Sequence, residues 1–326
     1  MPSWSAQAIR MYIEYMRRSK QAFGDAQNMR KSIHDLYLHP QSFCPPTPGP
    51  DITVDRQDVD DWPLYRVSPA PIREKDETEG SRSAMLYVHG GAFCREIDQA
   101  HWTFIFSTAR NTGLDIFVPI YPLVPRPTAT AKQVINALVE LCRNIRSIYK
   151  HDIVNITGDS AGGCIALATM YQILDDAPEL AEKITSIVLI SPVLDISFSH
   201  PETLRTDKEG RDPWLGVAGL QVITPLWSAG LSTLDTMASP LYGNVARLPP
   251  VLLLSGTDDL LNSDARRLSA KFQGKDDGKC IPGSVQLEKF TYIEEPQMIH
   301  VYPLLPCWEG GQARSTIEDF IRSHIL

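Results

Sequence analysis

A chain of 326 residues with 43% hydrophobic and 21% charged residues can bury a large core and has an ordinary globular composition. Its formal net charge of −8 argues against nucleic acid or an anionic membrane surface as a partner. No apolar run reaches the roughly eighteen residues of a spanning helix, and with neither a P-loop nor a G-x-G-x-x-G after a strand, no cofactor is expected.

The chain opens on an amphipathic helix pattern, with Ile9, Tyr12, Ile13 and Met16 on one face and Arg10, Arg17 and Arg18 elsewhere. A second short helix is predicted over 28–38, and Pro45-Pro46-Thr47-Pro48-Gly49-Pro50 is a stiff linker that ends helical structure. A basic N-terminal helix also suits a mitochondrial presequence, but such segments are poor in acids, and Glu14 and Asp25 argue for a structural role. Two antiparallel strands are predicted over 52–56 and 64–68, followed by a polar, charged loop over 73–83. Strand patterns then recur over 84–88, 116–121, 153–157, 184–191, 251–255 and 285–292. Helix patterns lie between them over 131–149 and from 161, with others near 262 and over 313–321. Such alternation predicts an α/β fold class with a mostly parallel central sheet flanked by helices. Between 197 and 239 it stops, yet Trp214, Leu215, Val217, Leu220, Ile223, Leu226 and Trp227 are too apolar for a plain loop.

Two glycine-rich segments follow strand patterns. Ala84-Met85-Leu86-Tyr87-Val88 runs into His89-Gly90-Gly91-Ala92-Phe93, and 153–157 breaks into Gly158-Asp159-Ser160-Ala161-Gly162-Gly163 before a helix. The second is the layout of a nucleophile elbow: a turn so tight that flanking side chains would meet backbone, holding a serine at the head of a helix. The first suits an oxyanion hole, because glycines bring backbone N–H groups close to an oxygen that becomes negative. Gly90, Gly91 and Ala92 are its candidates, with Ala161 just after the nucleophile Ser160.

With this layout the order along the chain is serine, acid, histidine. The strand over 251–255 ends at Gly256-Thr257-Asp258-Asp259-Leu260-Leu261, where two aspartates compete. Only His300 and His324 follow them. His324 falls in the last helical turn, where a cation is ordinary, while His300 sits in a loop that reaches both serine and acid, and is read as the base. His34 and His39 belong to the N-terminal segment, His151 opens a strand, and His101 beside Trp102 suits pocket or surface equally. No Cys/His cluster has ligand spacing, so no metal is expected. Cys44, Cys94, Cys142, Cys164, Cys280 and Cys307 show no pairing pattern and no signal peptide is read before them, so the expected location is cytoplasmic.

His89-Gly90-Gly91-Ala92-Phe93 and Gly158-Asp159-Ser160-Ala161-Gly162-Gly163 together resemble the hormone-sensitive-lipase branch of the α/β-hydrolases, with its H-G-G-G-F/W and G-D-S-A-G-G. The resemblance extends through Ser191-Pro192-Val193-Leu194-Asp195, Ser239-Pro240-Leu241-Tyr242-Gly243 and Leu248-Pro249-Pro250-Val251-Leu252-Leu253, and covers roughly 50–326. It implies an α/β-hydrolase catalytic domain over 51–326, roofed by a helical cap built from 1–50 and an insertion at 197–238. The family's G-x-x-D-x-L fits Asp259, leaving Asp258 as a helix-capping neighbour, and its H-x-F/Y fits His300. Ala92 replaces a family glycine without cost to its N–H, whereas Pro122 and Arg126 replace the arginine and glutamate of Y-R-L-A-P-E, removing a local ion pair.

The resemblance implies a serine carboxylesterase with catalytic Ser160, Asp259 and His300 and a small-molecule ester as its partner, and the large apolar residues between 197 and 239 predict a preference for acetyl to hexanoyl esters of fairly apolar alcohols. A lactonase or an acyltransferase would use the same residues. A non-catalytic receptor on this fold is the alternative of another class, and the intact triad speaks against it. A homodimer is left open.

Overall fold

In the computed structural model, which describes residues 1–59, 61–70, 82–276, 279–285 and 287–325, the chain opens on helix α1 (Trp4–Met11). A wide π-helical turn (Tyr12–Arg17) leads into α2 (Ser19–Phe23) and α3 (Ala26–Leu38). Strands β1 (Ile52–Val59) and β2 (Trp62–Pro69) pair antiparallel. Then come β3 (Arg82–Val88), α4 (Gln99–Thr112), β4 (Asp115–Pro119), α5 (Ala131–Ser147) and β5 (His151–Asp159). The chain continues as α6 (Ser160–Asp176), α7 (Pro178–Ala181), β6 (Ser186–Ile190), α8 (Pro201–Lys208) and α9 (Val217–Ser228). It closes with β7 (Val251–Gly256), α10 (Asn262–Phe272), a small hairpin β8 (Gln273–Asp276) and β9 (Lys279–Val285), β10 (Phe290–Glu295) and α11 (Trp308–Ser323).

The main sheet has the order β1-β2-β4-β3-β5-β6-β7-β10, antiparallel only through β2 and parallel from β4 onward. Period-two alternation divides the core between its faces. Along β3, Ala84, Leu86 and Val88 enter one cluster while Met85 and Tyr87 enter the other; Val251 and Leu253 of β7 oppose Leu252 and Leu254 in the same way. α5 and α10 cover the first face, α5 presenting Val134, Ile135, Leu138 and Ile145 at helical spacing behind its N-cap Thr130. α4 and α11 cover the second, the latter through Ala313, Ile317 and Ile321. α6 is buried nearly all round, which its run of Ala, Gly, Cys, Ile and Leu permits. Each fully buried Leu or Ile contributes about 1.5–3 kcal/mol, so this two-sided core fixes the strand ends from which the site projects.

The alternating pattern in the sequence is therefore the observed parallel sheet, with local differences. The strand expected over 285–292 is displaced: β10 starts at Phe290, pairing with Val251, while 287–289 form a 3₁₀ turn. β10 is a half-exposed edge strand without an apolar run, so the apolar residues just before it draw the pattern off register. The N-terminal face expected from Ile9, Tyr12, Ile13 and Met16 is broken, with Ile13 buried but Tyr12 and Met16 exposed. The π turn begins at Tyr12, and its wider loop rotates later side chains off the stripe. Leu226 also faces outward. The polar loop expected over 73–83 lies outside the described residues up to 81, and Arg82 and Ser83 already belong to β3.

α2 and α3 pack against α9, where Phe23, Met29 and Ile33 join Val217, Leu220, Ile223 and Trp227 in one cluster. Trp227 stacks on Phe93 with centroids 4.3 Å apart.

Candidate active site

β5 runs directly into α6, and the residue at the junction, Ser160, has φ of 51°, a left-handed conformation that a non-glycine residue rarely adopts. Two glycines make the turn possible. A Cβ on Gly158 would strike the Gly162 carbonyl, and one on Gly162 would strike the Val88 and His89 carbonyls at the end of β3. The serine is thereby clamped between two strand ends at the head of a helix whose first N–H groups have no intrahelical acceptor.

His300 stands in the loop between β10 and α11. Its Nε2 lies 2.9 Å from Ser160 Oγ, and its Nδ1 lies 3.1 and 3.2 Å from the two oxygens of Asp259. With Asp259 ionised, Nδ1–H donates to the carboxylate and Nε2 accepts from the serine hydroxyl. Asp259 Oδ1 also accepts the Leu261 N–H at 2.9 Å, which holds the acid in its turn, and Val301 N–H donates to Ser191 Oγ at 3.0 Å, which holds the loop next to the imidazole. Trp214 stands edge-on to the His300 ring, centroids 6.1 Å apart.

Asp258 turns the other way and pairs with Arg10. It does not cap α10, whose N-cap position is Leu261 and has no side-chain cap.

Gly91, Ala92 and Phe93 all have positive φ, at 114°, 52° and 59°, so the segment after β3 curls back on itself. Among the described residues the Gly91 and Ala92 N–H groups make no hydrogen bond, and both residues border the space over Ser160. Gly90 is different. Its N–H donates to Asp159 Oδ1 at 2.9 Å, so it is committed to the scaffold and is removed from the oxyanion candidates. Gly91, Ala92 and Ala161 remain.

Asp159, named in the sequence only as part of a motif, is a buried hub. It accepts from Tyr87 Oη (2.7 Å), Gly90 N–H and His101 Nε2 (3.3 Å), and His101 Nδ1 reaches Asp98 at 2.8 Å. Burial alone would raise the Asp159 carboxyl, but the His101 charge and these donors outweigh it and hold it below the usual range. Burial likewise opposes charge on His101, and the flanking aspartates overcome it, pushing the imidazole up to about 10. The pair ties the nucleophile turn to α4 through opposite charges, while the Gly90 N–H ties it to the loop after β3. His101 thus belongs to the site, and its place as the N3 residue behind the cap Asp98 is the sequence signal that could have placed it.

A second carboxylate, Asp212, has no such signal. It is buried, accepts the N–H groups of Trp214, Leu215 and Leu260, and is raised by burial and by the charge of Asp259. For His300, burial favours the neutral ring, but the charges of Asp259, Asp212 and Asp159 win and its pKa stands above the ordinary value.

The other candidates fall elsewhere. His34 and His39 are exposed on or just after α3, His151 pairs with Asp115, and His324 ends α11 against Phe320. Cys94 and Cys164 are buried thiols, Cys94 pushed up by burial to about 11 and Cys164 higher still. No group of His, Cys, Asp and Glu among the described residues could hold a metal ion, and no helix among them is long and apolar enough to cross a membrane.

Two spaces meet at Ser160. One is a cavity of about 290 Å³ bordered by His300, Trp214, His101 and Gly91. The other is a recess of about 10 Å³ walled by Phe93, Val193, Phe198, Leu220, Ile223 and Leu261.

A parallel sheet entered through a short antiparallel lead, with a serine on a strand–helix elbow and an acid and histidine following in that order, defines the α/β-hydrolase class. A model of the alpha/beta hydrolase fold family matches residues 85–304, and the chain belongs to that family, in line with the hormone-sensitive-lipase-like motifs. A triacylglycerol lipase of Mycobacterium tuberculosis is 31% identical over 226 residues, which is 69% of this chain but 43% of the lipase, so the chain spans less than half of that relative. An acetyl-hydrolase of Streptomyces hygroscopicus is 27% identical over 246 residues, 73% of this chain and 75% of the relative. A putative esterase from Staphylococcus aureus has the same fold, with a TM-score of 0.77 at 21% identity over 96% of this chain and 98% of the other.

Proposed function

We propose that this chain is a carboxylic ester hydrolase that acts on small acyl esters through Ser160, His300 and Asp259. The observation that carries the reading is the hydrogen-bonded chain from Asp259 through His300 to the Ser160 hydroxyl, beside the uncommitted N–H groups of Gly91 and Ala92. As Ser160 Oγ bonds to the ester carbon, its proton passes to His300 Nε2, and Asp259 stabilises the imidazolium. The carbonyl oxygen becomes an oxyanion held by Gly91, Ala92 and Ala161. The tetrahedral species then breaks its bond to the alcohol oxygen, which takes the proton from Nε2. Water, deprotonated by the same nitrogen, attacks the acyl-enzyme and releases the acid with Ser160 restored. In this reading residues 1–50 and 197–238 roof the site through α2, α3 and α9, and the names of the relatives, a lipase and an acetyl-hydrolase, are consistent with the reaction class.

The alcohol must lie beside His300, which borders the larger cavity and not the recess, so the acyl group is assigned to the recess. With apolar walls and room for about one water-sized group, it favours short chains. Rates on p-nitrophenyl esters of increasing acyl length are expected to peak at acetyl or butyryl and to fall by about tenfold or more at decanoyl. A maximum at long chains overturns this assignment, and no hydrolysis of any member overturns the enzyme reading.

The pH dependence follows from the base. His300 must be neutral to take the serine proton, and its pKa is raised above the ordinary value of about 6.5. kcat/KM is therefore expected to be lost as pH falls through a value above about 6.5. Asp212→Asn removes one of the raising charges and should move this acid limb to lower pH; a limb that stays in place removes Asp212 from the electrostatics of the base.

A further inference from the structure

The larger cavity over Ser160 has a cationic mouth in a chain whose formal charge is −8. Arg17, Arg18 and Arg95 all border it. Arg17 closes the π turn with its guanidinium over the Trp214 ring, 5.6 Å from the centroid, and Trp214 itself stands edge-on to His300. A single indole therefore separates this charge from the base. Arg18 follows in the left-handed conformation, its Nε 3.4 Å from the Tyr15 carbonyl. Arg95 leaves the glycine loop, donates to Ser32 Oγ at 3.1 Å and lies over the Phe23 ring.

None of the three makes an ion pair among the described residues, whereas their neighbours Arg10 and Lys20 pair with Asp258 and Asp207. Two of the three carboxylates of the cavity are already matched, Asp98 and Asp159 flanking the charged His101. The third, Glu96, has no ion-pair partner among the described residues, and burial pushes it up to about 7 against the opposing charge of Arg126, so it offsets the arginines only in part near neutral pH. Cation exceeds anion on the side where the alcohol leaves.

We infer that the substrates are small acyl esters whose alcohol portion bears an anionic group, a carboxylate or a phosphate, seated by Arg17, Arg18 and Arg95. The inference rests on the ester hydrolase reading and assigns the substrate class of the same site. Guanidinium groups suit it, because each offers a planar fork of donors to two oxygens of one anion. The reaction is unchanged: the ester carbon–oxygen bond breaks, water supplies the hydroxyl of the acid and the proton of the alcohol, and the anion is released still ionised.

The test compares three aryl acetates with the same acyl group: 4-acetoxybenzoate, 4-acetoxybenzamide and a 4-acetoxyphenyl trimethylammonium salt. At low ionic strength the whole chain is expected to favour the benzoate over the amide by about tenfold or more in kcat/KM, with the ammonium ester poorest. Because Arg17 and Arg18 are exposed, raising salt to about 0.5 M should shrink that ratio several-fold. Read as a ratio within each variant, the preference should fall in Arg17→Gln and Arg95→Gln, and invert towards the ammonium ester in Arg17→Glu with Arg18→Glu. Equal rates on the three esters in the unaltered chain, or a preference for the amide or ammonium ester, overturn the inference and leave ester hydrolysis standing. Hydrolysis of none of the three, together with none of p-nitrophenyl acetate, overturns both.

Discussion

Ser160→Ala is expected to lower turnover of p-nitrophenyl acetate by about 10⁴- to 10⁶-fold while the protein stays folded, because serine, histidine and acid act as a unit. Only Oγ is removed, and the hydrogen bond it loses is the one to His300 Nε2, so the stability cost is about 1 kcal/mol. The strained turn does not depend on the hydroxyl. It is held by Gly158 and Gly162, whose missing side chains let the strand ends approach. An aryl phosphonate or sulfonyl fluoride should label Ser160 in the unaltered chain, as read by mass spectrometry of the digested protein. Cys94 and Cys164 are the competing nucleophiles, and burial keeps both thiols protonated at neutral pH. A label on either of them, or turnover that survives Ser160→Ala, removes Ser160 from the mechanism.

What the sequence made legible depended on how local each signal is. The elbow and the glycine loop are short, and each must present its own glycines whatever the rest of the chain does, so Ser160, Gly91 and Ala92 could be located from a few residues. His300 was found by order along the chain and by elimination. The sheet was readable because its strands are buried on both faces and appear as apolar runs, as in Ile153–Ile156 and Val251–Leu254. β10 fails that condition at the sheet edge, so the sequence pattern places it several residues too early.

The unread part of the site is tertiary. Gly90 resembles its neighbours in sequence, and only the approach of β5 to β3 shows that Asp159 takes its N–H. His101 lies far along the chain from Asp159, as Asp212 does from Asp259, and nothing periodic marks either pairing. The basic mouth is likewise assembled from two distant segments: Arg17 and Arg18 enter the amphipathic pattern as polar positions, and only the π turn and the packing of α2 bring them to the cavity beside Arg95. Buried polar groups of this kind act by satisfying one another across the fold, so their partners are invisible until the fold is known.

The two adjacent aspartates give the sharpest test of side-chain direction. Asp259→Asn is expected to leave the protein folded but lower turnover by about 10⁴-fold. The amide oxygen can still accept the Leu261 N–H, which leaves the NH₂ group facing His300 Nδ1. That nitrogen must then accept, the ring proton moves to Nε2, and Ser160 loses its base; the imidazolium formed during attack would also lack its counter-charge. Asp258→Asn should keep nearly all activity. Its partner Arg10 is a partly exposed pair on the far side of the strand end, worth about 1 kcal/mol or less. Rates for both variants on one activated ester at a pH above the acid limb, with thermal melts to confirm folding, decide the matter. An inactive Asp258→Asn beside an active Asp259→Asn would mean that the carboxylate serving His300 is the one now paired with Arg10, and that the strand end turns the opposite way in the working enzyme.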